Sequence, residues 1–537
     1  MAEQDIFDVI IIGGGPCGLA TAARLREQTP SALFTDEEHR RFRWIGKHGN
    51  KVSLKQTKSG KIKTRRPNTG AGYNMLVLDS SSDQWLARWH YLFNTYEISH
   101  LRSPMLWHAD PFDRDSLLAY TYENKREGEL VEIRNCVGRE VSKHGHKKAA
   151  GRHCGGKQAA RVAINARDKN DYFTPSQGVF RDHCASITQR YDLESGVLQK
   201  EAVQDLDFGY SEAFPNETEK IFTVKTDHGV RYARTVVMAV GAANVPKVPS
   251  IPSMPNPNGQ YPQACHSLQV KDFPDPYLKS IIKSKQPTNI VVVGGGLTSA
   301  QLTDLAIRRG VTKVWHIMRG PCRVKLFDLN LEWMGKYKNT EQARFWLADS
   351  DEERLDIIKS ARGGGSLTPL YHKILKKHIA AGKTHLITNT SIVNARFEQE
   401  EGEKGGRWHI STDPPVELPP MDFMYFATGI QTDFTSLPYM RTIMRKHPVH
   451  GFGGFPCLND DLMWADDVPL FMVGRLAALR LGPGAANIGG AMVGAERVSW
   501  AIEDILRRSQ PEVESDSPTM EAYLKGHTNM YSTLACE

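Results

Sequence analysis

Apolar residues along this chain fall into short β-branched runs that break at glycine. Ile6 to Ile12 (IFDVIII) is long enough for one buried parallel strand, and Asn289 to Val293 (NIVVV) repeats the pattern. Each run meets a glycine cluster and then a helical stretch, Leu19 to Arg26 in the first case and Ala300 to Arg309 in the second. A further strand is predicted after each helix, at Ser31 to Thr35 and within TKVWHIMRG. Thr235 to Pro249 reads as a strand ending in Ala239-Val240-Gly241 and a proline-marked crossover. Met421 to Phe434 reads as a strand ending in Ala427-Thr428-Gly429. From Val468 to Leu506 the order is strand, glycine turn at Gly474, a second turn at Gly482-Pro483-Gly484, and a helix from about Asn487. Alternating strands and helices of this kind predict an α/β fold with two Rossmann-like units. No other internal repeat is visible.

The two glycine clusters carry the candidate chemistry. In Gly13-Gly14-Gly15-Pro16-Cys17-Gly18, the first glycine of GxGxxG permits a tight turn. Gly15 lets backbone approach a pyrophosphate, and Gly18 lets the helix pack closely on the strand. The helix N-terminus supplies a positive end for the phosphates. An acid about twenty positions on is expected to hold a ribose hydroxyl, which selects Asp36, with Glu37 as a rival. In the second cluster Gly294 and Gly296 match, and Ser299 followed by Ala300 takes the third position. Arg319 stands at the end of the following strand, where an NAD site usually carries an acid. A guanidinium there accepts the 2′-phosphate of NADP, and Arg323 and Lys325 add charge nearby, so NADPH is favoured over NADH. The competing reading makes Arg319 a solvated loop charge.

Composition narrows the field. The chain has 537 residues, 40% hydrophobic and 24% charged, which suits a soluble protein of two to four domains. A formal charge of +7 spread over this length, without a basic stripe interleaved with aromatics, gives no reason to expect nucleic acid. No apolar run reaches the ~18 residues of a membrane helix, and the polar start MAEQDIFDV does not resemble a signal peptide. A cytoplasmic location and no membrane partner are the expectation. The eight cysteines include no CxxC pair and no zinc spacing, so no metal is expected. His144 to Arg161 reads as a basic exposed loop, Glu398 to Gly406 as a charged hairpin or loop, and Arg508 to Pro518 as a polar connection.

From Phe7 to Ile505 the chain resembles the class B flavin monooxygenases, specifically the lysine/ornithine N-hydroxylase branch and the related oxidative-stress-induced growth inhibitors. Besides the glycine turns and Ala427-Thr428-Gly429, the resemblance rests on HLRSPMLWHADPFDRDSLLAY (His100 to Tyr120), YFTPSQGVFRDHC (Tyr172 to Cys184) and LRLGPGAANIGGAMVGAERV (Leu479 to Val498). It implies a two-dinucleotide-binding-domain flavoprotein: a Rossmann-like FAD domain with an inserted Rossmann-like NADP domain. FAD takes the first turn and NADPH the second. The implied division is 1–250 for the first part of the FAD domain, with an insertion about 60–170. The NADP domain is then 251–410, with a helical insertion about 327–380, and 411–537 is the second part of the FAD domain with a tail. Gly429 and Gly474 are expected near the cofactors, as is Trp107. Arg102 and Asn487 are the candidate catalytic residues, Arg102 as a charge partner for NADPH and Asn487 as a helix cap reaching the flavin.

Departures from the family pattern also inform. Arg475 follows Gly474 where many such flavoproteins have an aspartate bonded to the ribityl chain, which weakens a disulfide-reductase reading. His266 lacks the Phe and Gly of the Baeyer–Villiger fingerprint, having Gln260 and Pro262 at those places. The implied reaction forms a flavin C4a-hydroperoxide and transfers one oxygen atom from O2 to a small molecule, an amine nitrogen foremost. The alternatives are a regulatory flavoprotein of the growth-inhibitor type with little turnover and an NADPH-dependent flavin reductase. A homo-oligomer is compatible with either.

Overall fold

The computed structural model describes residues 5–27, 32–33, 54–55, 62–63, 72–134, 136, 170–194, 196–241, 246–254, 261–334, 338–399 and 405–508. Asp36, Glu37, most of the strand expected at Ser31 to Thr35, and the basic loop His144 to Arg161 lie outside these residues, as does everything after Arg508.

Two sheets organise the chain. The first is eight-stranded and is built on β1 (Ile6–Ile12) and β2 (Met75–Asp79). It also contains β3 (Leu198–Lys200), the hairpin strands β4 (Val203–Gly209) and β5 (Ile221–Thr226), and β6 (Gly229–Met238). The chain then leaves for a five-stranded parallel sheet. Its strands are β7 (Ala264–His266), β8 (Asn289–Val293), β9 (Lys313–Ile317), β10 (Thr384–Ile387) and, beyond the antiparallel pair β11 (Ser391–Glu398) and β12 (Arg407–Asp413), β13 (Phe423–Phe426). On returning, β14 (Met463–Ala465) and β15 (Val468–Met472) complete the first sheet, in the order β14-β15-β6-β1-β2-β3. The order of the second is β7-β13-β8-β9-β10.

β1 is flanked on both sides and Val9, Ile10 and Ile11 are wholly buried, which is why the run is continuously apolar rather than alternating. Each such side chain removed from water contributes about 1.5–3 kcal/mol. Parallel pairing aligns the strand ends: Ile12 sits beside Leu78 and Met238, and Val293 beside Ile317 and Phe426. The carboxyl ends therefore gather on one edge of each sheet, the edge where open α/β sheets bind ligands.

Two boundaries differ from the sequence reading. β12 runs past residue 410 and β13 lies wholly beyond it, yet β13 is hydrogen bonded inside the second sheet, and Trp408 and Met421 lie in that unit's core. The return to the first unit therefore follows β13, whose pairing still belongs to the second sheet. The helical insertion is likewise divided. Helix Pro369–Ala380 is the ordinary crossover between β9 and β10. Helices Lys338–Trp346 and Asp351–Arg362 instead bury Phe345, Leu355 and Ile358 in the core of the first unit, together with Phe327 and Trp333. The insertion leaves the nucleotide unit that encodes it and packs on the other. Among the described residues no helix is long and apolar enough to cross a membrane.

Candidate functional site: two glycine cradles

Helix α1 (Pro16–Arg26) starts directly from the first cluster, with Gly15 at its N-cap and no side chain capping it. Gly13 has φ +116, and a Cβ there would lie 2.6 Å from the carbonyl oxygen of Ala239. At Gly18 a Cβ would fall inside the Gly13 carbonyl. Gly15 is different: nothing lies within 4 Å of a Cβ, so its outer side is open volume at an uncapped helix start. Helix α2 (Leu297–Arg308) repeats this construction. Gly296 is its N-cap, has open space beyond it, and has no side-chain cap. Gly294, at φ +149, is closed in by the carbonyl of Ala427. Ala239 and Ala427 thus do the same job in the two units: Ala239 N donates to Ile12 O and Ala427 N to Val293 O, each at 2.8 Å. Both cradles fit an anionic diphosphate, with free N–H groups and a positive helix end facing room that a side chain would fill.

The third position shows how the second cradle tolerates Ser299. Ser299 is fully buried and its hydroxyl donates to Gly296 O at 2.6 Å. The Gly294 carbonyl accepts a hydrogen bond from Nε2 of the buried His316 at 2.8 Å. Burial pushes the His316 imidazole down to about 4, with the bond to Gly294 only partly opposing, so the ring is neutral at pH 7. Sequence reading did not single out His316; its inward position on β9 was the available signal.

At the ends of the neighbouring strands the cradles diverge. Asp79 closes β2, the strand beside β1, and its Oδ2 accepts from Gly14 N at 2.8 Å while Oδ1 accepts from Ser81 N at 2.8 Å. Asp36, which spacing selects for the ribose, lies outside the described residues, and Asp79 is the acid that the structure shows at the end of the strand beside β1. The strand MLVLD carries the expected signature, apolar residues ending in an acid, but follows α1 by some fifty residues instead of a few. Arg319, two residues beyond β9, is exposed, and no ion pair holds it among the described residues. Arg323 is exposed as well, whereas Lys325 is occupied by Asn330 Oδ1 at 2.9 Å and Arg362 O at 3.0 Å.

The flavin-side elements assemble around helix α3 (Ile488–Arg508). It is clamped to α1 by Arg24 and Glu496, a nearly buried ion pair with Nε–Oε2 2.6 Å. Gly474 is buried at φ +70, and a Cβ there would meet Cys17 Sγ at 2.7 Å. Cys17 is half-buried, and desolvation pushes its thiol up to about 12, which disfavours the thiolate at pH 7. Trp107 is buried with its indole edge against Gly489, and its ring is 6.5 Å from that of Phe327. Asn487 immediately precedes α3, but its side chain does not cap it. Nδ2 donates to Asp328 at 2.7 Å, and Oδ1 accepts from Arg362 at 3.1 Å. Burial opposes the charge on Asp328, yet Arg362 beside it, the Asn487 bond and Arg102 hold the carboxyl below its usual range.

Arg102, expected as a charge partner for NADPH, makes extensive contacts within the protein. Its guanidinium donates to the carbonyls of Lys325, Leu326, Phe327 and Ser366, and to Ser366 Oγ. Burial lowers its pKa to about 10. All three nitrogens donate to protein, so Arg102 is a tie between the segment around residue 102 and the insertion. Gly429 (φ +87) lies in the linker: its carbonyl accepts from Lys247 N at 3.1 Å, and Thr428 Oγ1 donates to the Lys247 carbonyl. The outgoing and returning linkers are thus paired with each other.

Two such cradles in one chain, one flanked by an acid and the other by an arginine, ask for comparison with known proteins. Residues 171–432 match the model of the L-lysine 6-monooxygenase/L-ornithine 5-monooxygenase family. The resemblance read from the sequence agrees with that match. No curated protein is similar enough to be matched. Among solved structures, the chain is similar to a FAD-bound cadaverine monooxygenase of desferrioxamine biosynthesis from Erwinia amylovora. The TM-score is 0.56 at 14% identity, covering 96% of this chain and 98% of that one. An ornithine N-hydroxylase from Kutzneria sp. 744, solved with reduced FAD, NADP+ and L-ornithine, gives 0.56 at 15%, covering 94% and 100%. L-lysine 6-monooxygenase from Pseudomonas syringae gives 0.53 at 15%, covering 93% and 99%. At these identities the likeness establishes the fold: a Rossmann-like domain with a second inserted in it, as the sequence implied.

Proposed function

We propose that this protein is an NADPH-dependent flavin monooxygenase that holds FAD at the first cradle and NADPH at the second, and that hydroxylates an amine nitrogen of a small molecule. The observation that carries the reading is the pair of open, uncapped cradles in a chain whose residues 171–432 match the lysine/ornithine monooxygenase family model. Asp79 is assigned to a ribose hydroxyl of FAD and Arg319 to the 2′-phosphate of NADPH. When bound, FAD would supply hydride acceptance from NADPH and activation of O2, the net change being one oxygen atom to the amine and, with a proton from solvent, the other to water. The chain's own share is positioning and exclusion of water. Trp107 and Phe327 give the region before α3 an apolar wall, and the start of α3 offers a positive end to charge gathering on the flavin.

The test supplies the purified yellow protein with NADPH, isotope-labelled O2 and a panel of diamines and amino acids. The expected product is a hydroxylamine carrying one labelled oxygen. NADPH consumption with stoichiometric hydrogen peroxide for every amine would replace the reading with a flavin reductase. Absence of any NADPH consumption would point to the regulatory alternative.

A further inference from the structure

Helix Asp351–Arg362 ends in three glycines, and this short turn touches both halves of the site. At its start, Arg362 donates to Pro483 O at 2.9 Å and to Asn487 Oδ1 at 3.1 Å, and pairs with Asp328 at 2.5 Å. These partners stand at the entrance to α3, on the flavin side. At its end, Gly365 lies against the second cradle: a Cβ there would be 3.0 Å from the carbonyl of Gly295 and from the amide nitrogen of Gly296, the N-cap of α2. Between them Gly363 (φ +62) caps the helix and Gly364 (φ +87) continues the left-handed path, a conformation that β-carbons resist. The flanks are fixed. Ser366 is buried and held by Arg102, and Leu367 is buried, with its N–H donated to Arg323 O at 2.9 Å. A segment so anchored has little freedom to move at one end alone.

We propose that the Arg362–Gly365 turn is a strut shared by the two nucleotide sites. Gly365 forms a wall of the second cradle, and Arg362 positions Asn487 and Asp328 at the flavin-side helix, so a nicotinamide nucleotide at the second cradle is felt at the first. The proposal rests on the cofactor assignment above. Arg362 is a positioning residue: it acts through Asn487 and Asp328, not on a substrate. The absence of a β-carbon at Gly365 is what lets the wall come within backbone contact of Gly295 and Gly296.

The experiment uses oxidised protein and NADP+, so no turnover is needed. Calorimetry reads NADP+ binding, and the change in the visible spectrum of bound flavin reads the coupling. In the wild type, NADP+ is expected to bind and to perturb the flavin spectrum with the same saturation curve. Gly365→Val is expected to weaken NADP+ binding at least about tenfold while leaving the flavin spectrum without NADP+ unchanged. Arg362→Met is expected to bind NADP+ within about threefold of wild type but to lose most of the spectral change. Should Arg362→Met fail to retain FAD, Asp328→Asn weakens the pair with Arg362 and Arg362→Lys loses the forked contacts, and each must diminish the change. Wild-type affinity in Gly365→Val, or a full spectral change in the Arg362 and Asp328 variants, overturns the strut. Binding of NADP+ to the wild type with no flavin change does so too. A wild type that binds FAD but no NADP+ at all refutes the cofactor assignment instead.

Discussion

The first and second cradles are built on one plan and differ in three places. Both put a glycine under an alanine carbonyl, leave the second glycine facing open space, and start an uncapped helix. In the first, Gly18 must lack a side chain because the Gly13 carbonyl lies where one would go. In the second, that carbonyl's counterpart is held by His316, and Ser299 is accommodated. The first ends its neighbouring strand in Asp79, whereas the second has the exposed Arg319 two residues beyond its neighbouring strand. The lesson is that the glycine plan is shared by the two cradles, whereas the charge placed beside each is not.

The comparison can be broken most severely at the third position. Gly18→Val should abolish FAD retention, leaving less than about a tenth of the wild-type flavin content, since the new side chain has no room. Ser299→Ala, which removes one hydrogen bond, should cost only about 1 kcal/mol of stability, read from thermal unfolding. Equal tolerance of both changes would show that the cradles do not differ as described.

His316 gives the next effect. Its pKa is about 4 in the folded protein against the ordinary 6.5. A depressed histidine favours the folded state above pH 6.5, and that contribution is lost as pH falls toward 4, because the unfolded chain takes up the proton first. The loss should approach about 3 kcal/mol. His316→Gln retains a donor for the Gly294 carbonyl without titrating, so its stability should decline less steeply between pH 6.5 and 4 than that of the wild type. Parallel pH profiles would contradict the assignment.

Asp79→Ala should weaken FAD binding about 10- to 100-fold, the worth of a hydrogen bond to a charged group, while Asp36→Ala leaves it unchanged. The reverse outcome would restore the spacing argument. A smaller loss of affinity than at Asp79 is expected at Arg319. Arg319→Ser should raise the KM for NADPH about tenfold and leave NADH unaffected, read from steady-state rates of flavin reduction. An equal change with both nucleotides would make Arg319 a surface charge only.

Much of this was legible in the chain. The strands IFDVIII and NIVVV, both glycine turns, and the small residues Ala239 and Ala427 announce two Rossmann-like units, because burial on both faces forces β-branched runs and close backbone approach forces glycine. What was not legible depends on contacts remote in sequence. Spacing points to Asp36 because it assumes a short connection, and strand pairing alone shows that Asp79 lies beside β1. Arg102 looks like an anion partner until its five acceptors are seen. The insertion's allegiance to the first unit is decided by Phe327, Phe345 and Ile358 finding its core, which no periodicity within the insertion reveals.

The central claim is that electrons cross from a nucleotide at the second cradle to a flavin at the first, and anaerobic mixing of the yellow protein with NADPH tests it most directly. The account predicts that NADPH bleaches the bound flavin's visible absorbance in one stoichiometric step, and that NADH does so far more slowly. Flavin that stays fully oxidised in the presence of excess NADPH would contradict it.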